Sequence, residues 1–600
     1  MSGKYEYLVS VLDQLSREAP AEMKRYNVDT ANATDVEHAR ARAFIHLFLK
    51  VKFGLVDFTE REQYVTDAPG DGGIDAYYID HEAKRLYFIQ SKFRNTEHNF
   101  IAKEIMLDEL LSMDIDRIMD GETTNDNGDA YNGKILRLVE KLQAISDLPK
   151  YKTEIILLAN VNPKHLLKIK RIIGGYGAEI YNYARVYSEL LFPLISGSYF
   201  NPTELKITIN VDKDSAGHRI QYYPETKYGD CTVNALYVPT VEIARILWKY
   251  KNSILKYNPR SYLDLASGSV NEKIASSITD LQTNEFALFN NGITMLSDET
   301  IYSDKVGKKN KAEIIVMNPQ IINGGQTAYT LSMLYAKNLD NLDIFTNKEV
   351  LLKIISFNMD EDASEHSQDD KLKLIEEISI ATNQQSPVIE ADRRANDKVQ
   401  VELQELIFRD FGLFYERKRG EFGDGVRAGY ISRQDIIDRD QFLRICLAAQ
   451  NDPVKARSGT TAKLFEKARF DSILPDATQY RKYVYGYRAY DRIGRISGAD
   501  IPYNFKTTAR FAIVNVTTAL YFDEDTPLDK YDEDINESLS EIVKQWPSFE
   551  QYVRSTAANQ KYYFKEVFDK DTGERTIETN WTAYYKGRTL SADLKYFFNF

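Results

Sequence analysis

The succession of segments along this 600-residue chain predicts a mixed α/β (α+β) protein of two or three domains. Three observations carry that expectation. In the first 200 residues, short β-branched and aromatic runs alternate with amphipathic helical patterns, as in a mixed sheet covered by helices. A second set of strands and helices begins near Leu205, and the last hundred residues are aromatic-rich and partly helical. The length exceeds what one core usually supports. Divisions near residues 200 and 500 give an N-terminal segment 1–200, a larger α+β region 201–500 and a mostly helical C-terminal region 501–600.

Taken in order, Thr34 to Phe53 reads as a helix, and Thr34-Asp35-Val36-Glu37 fits the box in which a Glu side chain reaches back to the N-cap amide. Ile74–Ile79 and Leu86–Phe93 read as strands joined by the polar turn Asp80–Arg85, so they should form a hairpin. If Ile79 faces Leu86, the same register sets Asp75 opposite Gln90, with Cβ atoms roughly 5 Å apart. Lys92, two residues on, emerges on the same face. Asp120–Gly133 is a polar loop, either overhanging that face or a simple insertion. Thr153–Ala159 is an apolar strand between the helical patterns Ile135–Ile145 and Pro163–Ile173. Further on, Leu205–Val211, Thr232–Val238 and Ile314–Ile322 read as strands, and Val241–Lys251, Thr327–Tyr335, Ala509–Tyr521 and Ile535–Trp546 as helices. Asn358–Asp370 and Asp523–Asp534 look like acidic surface loops.

The hairpin brings together one carboxylate, one amide oxygen and one ammonium. A hard dication accepts one or two carboxylates with neutral oxygens and water, so Asp75 and the Gln90 carbonyl make an adequate partial shell for Mg²⁺ or Mn²⁺. Lys92 can orient a water or offset charge on a scissile phosphate. Gly72 and Gly73 leave room for a phosphate backbone. The plainer alternative is an ordinary hairpin with an exposed Asp and Lys, and Asp71 either serves the site or caps the glycine turn.

The string Gly70-Asp71-Gly72-Gly73-Ile74-Asp75 followed by Gln90-Ser91-Lys92 resembles the Mrr-like branch of the restriction-endonuclease-like superfamily, the PD-(D/E)xK nucleases. The resemblance implies a Mg²⁺-dependent endonuclease with Asp75, Gln90 and Lys92 in the reaction, and DNA as substrate more readily than RNA. Such enzymes often add an acid from a helix before the first strand. Glu37 is then a candidate metal ligand beside Asp71.

Three later strings stand out: Asn258-Pro259-Arg260-Ser261-Tyr262-Leu263, Phe289-Asn290-Asn291-Gly292-Ile293-Thr294 and Gln320-Ile321-Ile322-Asn323-Gly324-Gly325-Gln326-Thr327. The last forms a tight strand-to-helix turn whose amides and dipole suit an anion, with Arg260 available to complete a pocket. Equally, these Asn and Gly residues can be there for left-handed backbone and close packing. With Ile380-Ala381-Thr382-Asn383-Gln384-Gln385 and Phe414-Tyr415-Glu416-Arg417-Lys418, the strings resemble the AIPR family, named for abortive-infection phage resistance, over roughly Tyr257 to Gly420. That resemblance implies a bacterial anti-phage protein in which an AIPR region is joined to a nuclease, and the reading taken here makes that region a sensor, clamp or oligomerisation platform. A phage-derived trigger, a nucleotide ligand and a homo-oligomer are the further partners considered. A regulator that binds nucleic acid without cutting it is the alternative, since Gln90 stands where an acid would bind metal more strongly.

Composition narrows the classes. With 43% hydrophobic residues and 40 tyrosines, the chain is globular rather than disordered. The start Met1-Ser2-Gly3-Lys4 lacks an apolar signal segment and no stretch approaches the roughly 20 apolar residues of a membrane span, so a cytoplasmic protein without membrane contact is expected. Cys231 and Cys446 are too few for a disulfide framework or a thiolate zinc site and read as buried thiols. The net charge of −12 argues against a protein that coats nucleic acid nonspecifically. Local basic clusters remain candidates: Lys50 and Lys52, then Lys164, Lys168, Lys170 and Arg171, then Arg393-Arg394, then Arg417-Lys418-Arg419.

Overall fold

The computed structural model describes residues 3–600 apart from 82, 106–112, 174, 200–204, 228, 259–268, 281–282, 304–309, 358–373, 376, 379–389, 497–502 and 569–574. It is a mixed α+β structure in two compact units, residues 1–376 with 420–433, and residues 377–419 with 434–600.

The first unit carries a four-stranded sheet of β1 (Ala76–Asp80), β2 (Arg85–Ser91), β3 (Lys152–Leu158) and β4 (Gly177–Ile180), in that order. β1 and β2 form the expected antiparallel hairpin, with Ile79 paired to Leu86. β2, β3 and β4 run parallel, linked through the helices Gly133–Gln143 and Leu166–Ile172. Alternation assigns the two faces. Tyr77, Ile79, Leu86, Phe88, Ile155 and Leu157 pack with Ile135, Leu138 and Leu142 of the first of those helices. On the other face, Phe53 of the helix Ala33–Phe53 stacks on Tyr78 at 4.2 Å and lies 4.8 Å from Tyr87.

Farther along the same unit, β5 (Lys206–Asp212), β6 (Ile220–Tyr222), β7 (Glu225–Thr226), β8 (Gly229–Pro239), β9 (Ile293–Ser297), β10 (Thr300–Ser303), β11 (Lys311–Met317), β12 (Gln320–Asn323) and β13 (Glu349–Phe357) build two more sheets. One has the order β10-β11-β5; the other runs β12-β9-β13-β8-β6, with β7 beside β8. The expected single strand Ile314–Ile322 is two strands in different sheets. Asn318 takes a left-handed φ of 50° and Pro319 follows, so the chain turns there and cannot continue one ladder. The helices Thr240–Tyr250 and Gly325–Lys337 bury Ile243, Leu247, Ala328 and Leu331 against Leu352 and Ile354.

The second unit is mostly helical around Trp546, Phe549 and Tyr584, with the short pairs β14 (Phe414–Glu416) with β15 (Ile436–Asp438) and β16 (Phe564–Phe568) with β17 (Arg575–Thr579). Its helix Tyr531–Ser555 begins inside the expected acidic loop, because Asp532, Glu533 and Asp534 in its first turn favour the positive end of the dipole. It also passes through Pro547 instead of ending at Trp546. The buried series Ile535, Leu539, Ile542, Trp546, Phe549 and Val553 keeps helical spacing across the proline, and this packing outweighs the lost hydrogen bond. The loop 358–370 lies outside the described residues. Both cysteines are buried free thiols. No described helix is long and apolar enough to cross a membrane.

Candidate metal centre

Asp75 immediately precedes β1 and continues its register: its amide donates to the Ile89 carbonyl at 2.9 Å, and the Ser91 amide donates to Asp75 Oδ2 at 2.6 Å. The pairing that the hydrophobic alternation predicted thus sets Asp75 beside Gln90, at the carboxyl ends of the parallel strands. Asp75 is 8% and Gln90 2% exposed. Gln90 Nε2 donates to the Gly73 carbonyl at 2.9 Å, which ties the side chain to the glycine turn. Lys92 follows β2, partly exposed, with its amide donating to Leu158 at 3.0 Å.

The turn itself needs glycine. Gly70, Gly72 and Gly73 have φ of 80°, 61° and 75°. A Cβ on Gly72 would stand 3.1 Å from the Tyr131 ring and 3.3 Å from Ile118, so that side is filled by the protein and does not receive a phosphate backbone as the sequence suggested. Tyr131 and Asn132 end the loop Asp120–Gly133, and Asn132 Nδ2 donates to the Thr66 carbonyl at 3.1 Å. The loop therefore packs on the turn. Asp71 Oδ1 accepts the Gly73 amide at 2.9 Å, so it caps the turn and also faces the other acids.

One further acid joins them. The amides of Thr66 and Asp67 donate to the Asp75 carbonyl at 2.8 and 3.1 Å, which lays the preceding segment alongside β1. Asp67, Asp71 and Asp75 each then offer a carboxylate oxygen, and all three oxygens lie within 4.8 Å of one another. Among the described residues no other group of three His, Cys, Asp or Glu ligands is so gathered. Burial, followed by the charges of Asp71 and Asp67, pushes the Asp75 carboxyl up to about 7, against the Ser91 amide and Lys92, which lower it. Burial also raises Asp71. Asp67 pairs with Arg42 at 3.1 Å. Glu37 is not in the cluster; its charge acts on Tyr5 and Arg40. Nor is it a capping-box residue, because the N-cap is Asn32, two residues before Thr34, and it accepts the Asp35 amide at 3.0 Å.

Asp67 escaped sequence reading because it lies outside the Gly-Asp-Gly-Gly-Ile-Asp string. The one available signal was the four-residue spacing Asp67, Asp71, Asp75, which usually means a helix face and is meaningless for a helix across three glycines.

The second signature is built differently. Gly324 is the left-handed N-cap (φ 78°) of the helix Gly325–Lys337, and a Cβ there would meet the Gly292 carbonyl oxygen at 2.5 Å and the Ile293 Cα at 2.9 Å. Gly292 (φ 81°) is equally crowded, by the Leu351 carbonyl oxygen at 2.7 Å. Asn290 Oδ1 accepts the Gly292 amide at 2.9 Å and its Nδ2 donates to Thr327 Oγ1 at 2.8 Å; Asn323 Oδ1 accepts the Gly324 amide at 2.6 Å. Asn291 is exposed and Gln326 partly so. These strings hold β9 and β12 in close backbone contact. The family model described as AIPR protein matches residues 255–566, more than half of the chain. The chain belongs to the AIPR family. Comparison with curated proteins and with solved structures returned no match.

Within the AIPR region, Arg260 and the segment 380–385 lie outside the described residues. Arg417 donates to Gln404 Oε1 at 2.9 Å and to the Ala395 carbonyl at 3.1 Å, so it is engaged in the packing of its own unit, and Lys418 is buried. Other expected basic clusters are also paired internally: Lys50 with Glu18, Lys52 with Glu189, Arg393 with Glu390 and Arg394 with Asp397. Lys164, Lys168, Lys170 and Arg171 are exposed. The AIPR match begins well after Asp75, so the acid cluster stands outside it.

Proposed function

We propose that this AIPR protein is a Mg²⁺- or Mn²⁺-dependent nuclease of anti-phage defence, acting on DNA, with the AIPR region as sensor, clamp or oligomerisation platform. Family membership suggests the defence setting. The observation that carries the nuclease reading is the buried Asp75, raised to about 7 amid two further carboxylates, beside Gln90 and Lys92. Three carboxylates gathered against the two cations Arg42 and Lys92 suit a hard cation. Asp67, Asp71 and Asp75 would hold it with the Gln90 amide oxygen. A bound dication supplies a water acidic enough to attack a phosphodiester at neutral pH and offsets the charge that develops. Asp75 is oriented by the Ser91 amide and Gln90 by the Gly73 carbonyl, so these side chains are set before substrate arrives. Lys92, on the same face, meets the phosphate. Tyr131 and Ile118 pack against Gly72 of the turn.

The regulator reading keeps one observation of its own: the Gln90 amide nitrogen is committed to the fold, and an amide is a weaker ligand than an acid. Plasmid incubated with the full chain and Mg²⁺ or Mn²⁺ separates the two. The nuclease reading expects cutting that EDTA, Asp75→Asn or Lys92→Ala abolishes while circular dichroism is unchanged. Full cutting by either variant overturns it, and tight binding without any cutting favours the regulator.

A further inference from the structure

The segment that carries Asp67 into the cluster is irregular backbone supported from two sides. On one side it lies along β1: the Tyr77 amide donates to the Tyr64 carbonyl at 3.0 Å, Val65 bridges to Ala76, and the Thr66 and Asp67 amides reach the Asp75 carbonyl. On the other side stands Lys134, the second residue of the helix Gly133–Gln143, whose apolar face is docked on the sheet. Its Nζ donates to the Val65 carbonyl at 2.6 Å, to Glu62 Oε1 at 2.7 Å and to the Glu62 carbonyl at 3.4 Å. An ammonium has three N–H groups, and here they all go to the stretch that leads to Asp67.

Glu62 is itself fixed. It ends the helix Phe58–Glu62, is buried, and accepts from Tyr26 and Arg25. His46, kept neutral by burial, accepts the Arg61 Nε–H on Nδ1 at 3.1 Å, so its Nε2 carries the proton and donates to Glu62 Oε2 at 3.2 Å. The need for such a tether comes from charge. Asp75 is locked by the Ser91 amide and Asp71 by its own turn, whereas Asp67 meets two like charges from a stretch that is neither helix nor strand. Arg42 attracts the Asp67 side chain at 3.1 Å, and Lys134 holds the backbone from which that side chain projects.

We propose that Lys134 is the positioning residue of the metal centre: through the Val65 carbonyl and the Glu62 carboxylate it holds Asp67 within coordinating reach of Asp71 and Asp75, while touching neither metal nor substrate. The inference rests on the metal-centre reading for the use to which Asp67 is put. The tether itself does not depend on that reading.

The test uses the full chain and two readings, Mn²⁺ affinity by electron paramagnetic resonance and metal-free amide exchange by mass spectrometry. Lys134→Met should weaken Mn²⁺ binding about ten-fold and speed exchange across residues 64–67. Added to Asp67→Asn, it should weaken Mn²⁺ no further, whereas a loss of general stability would act equally in both backgrounds. If Lys134→Met does not melt cooperatively, Lys134→Met combined with Glu62→Gln, which strands no buried carboxylate, carries both readings. Where the wild type binds Mn²⁺, undiminished affinity in the variant, or equal losses with and without Asp67, overturns the proposal; unchanged exchange overturns it in every case. If the wild type binds no Mn²⁺ while exchange in the variant still rises, the metal-centre reading falls and Lys134 stands as the tether of this segment.

Discussion

Two turns of the first unit use the same residues for opposite ends. Gly70–Gly73 and Asn323–Gly325 are both Asx- and glycine-rich, and both contain left-handed glycines. In the second turn every unusual feature has a packing cause: Gly324 and Gly292 are pressed against neighbouring backbone, and Asn290 and Asn323 satisfy amides one or two residues away. In the first, Asp71 does cap the turn, but the fold also gathers Asp67 and Asp75 beside it and buries Asp75 until its carboxyl is raised to about 7. That arrangement destabilises the fold and packing does not require it. A glycine signature by itself therefore says little about function, whereas a buried carboxyl raised beside two further carboxylates marks a candidate site.

The comparison breaks most visibly at Gly324. A side chain there must enter strained backbone and displace the Gly292 carbonyl, so Gly324→Ala should lose about 3 kcal/mol or more in denaturant unfolding; a neutral result would remove the packing account of the second turn. Asp75→Asn should do the reverse at the first. The raised carboxyl holds a proton in the folded state between about pH 4 and 7 that the unfolded chain has released, so metal-free stability falls as pH rises through that window. Asn keeps the acceptor for Ser91 and has no charge to bury. The variant should be more stable than wild type at pH 8 in EDTA, by at most about 4 kcal/mol, and its unfolding should lose that pH slope. Identical melting curves for the two proteins from pH 5 to 8 would contradict it.

A smaller effect sharpens the contrast. Protons and cation compete for the same oxygens, so Mn²⁺ affinity should rise by up to ten-fold for each pH unit below about 7 and level off above it; calorimetric titrations at pH 6, 7 and 8 read this directly. Smallest of all, Arg42→Gln removes a partly exposed partner of Asp67 and should change stability by about 0.5 kcal/mol, while tightening Mn²⁺ binding a few-fold by leaving Asp67 unneutralised.

Local alternation made the hairpin legible to the residue: Ile79 facing Leu86 follows from the apolar pattern and the short turn, and the neighbourhood of Asp75 and Gln90 follows from that. Decisions made by tertiary packing were not legible. The helix through Pro547 is held by its buried stripe, and the break at Asn318-Pro319 hands β11 and β12 to different sheets. Asn32 takes the N-cap that Thr34 could have filled equally well by composition. Asp67 reaches the cluster because its segment is laid along β1, the Thr66 and Asp67 amides donating to the Asp75 carbonyl, a contact no motif announces.

The central claim, a divalent cation held by Asp67, Asp71 and Asp75, is tested most directly by titrating Mn²⁺ into the full chain and following the free ion by electron paramagnetic resonance. The account predicts a site in the wild-type protein that Asp75→Asn abolishes and that weakens below pH 7. Retention of that site in the variant, or no binding by the wild type, would contradict it.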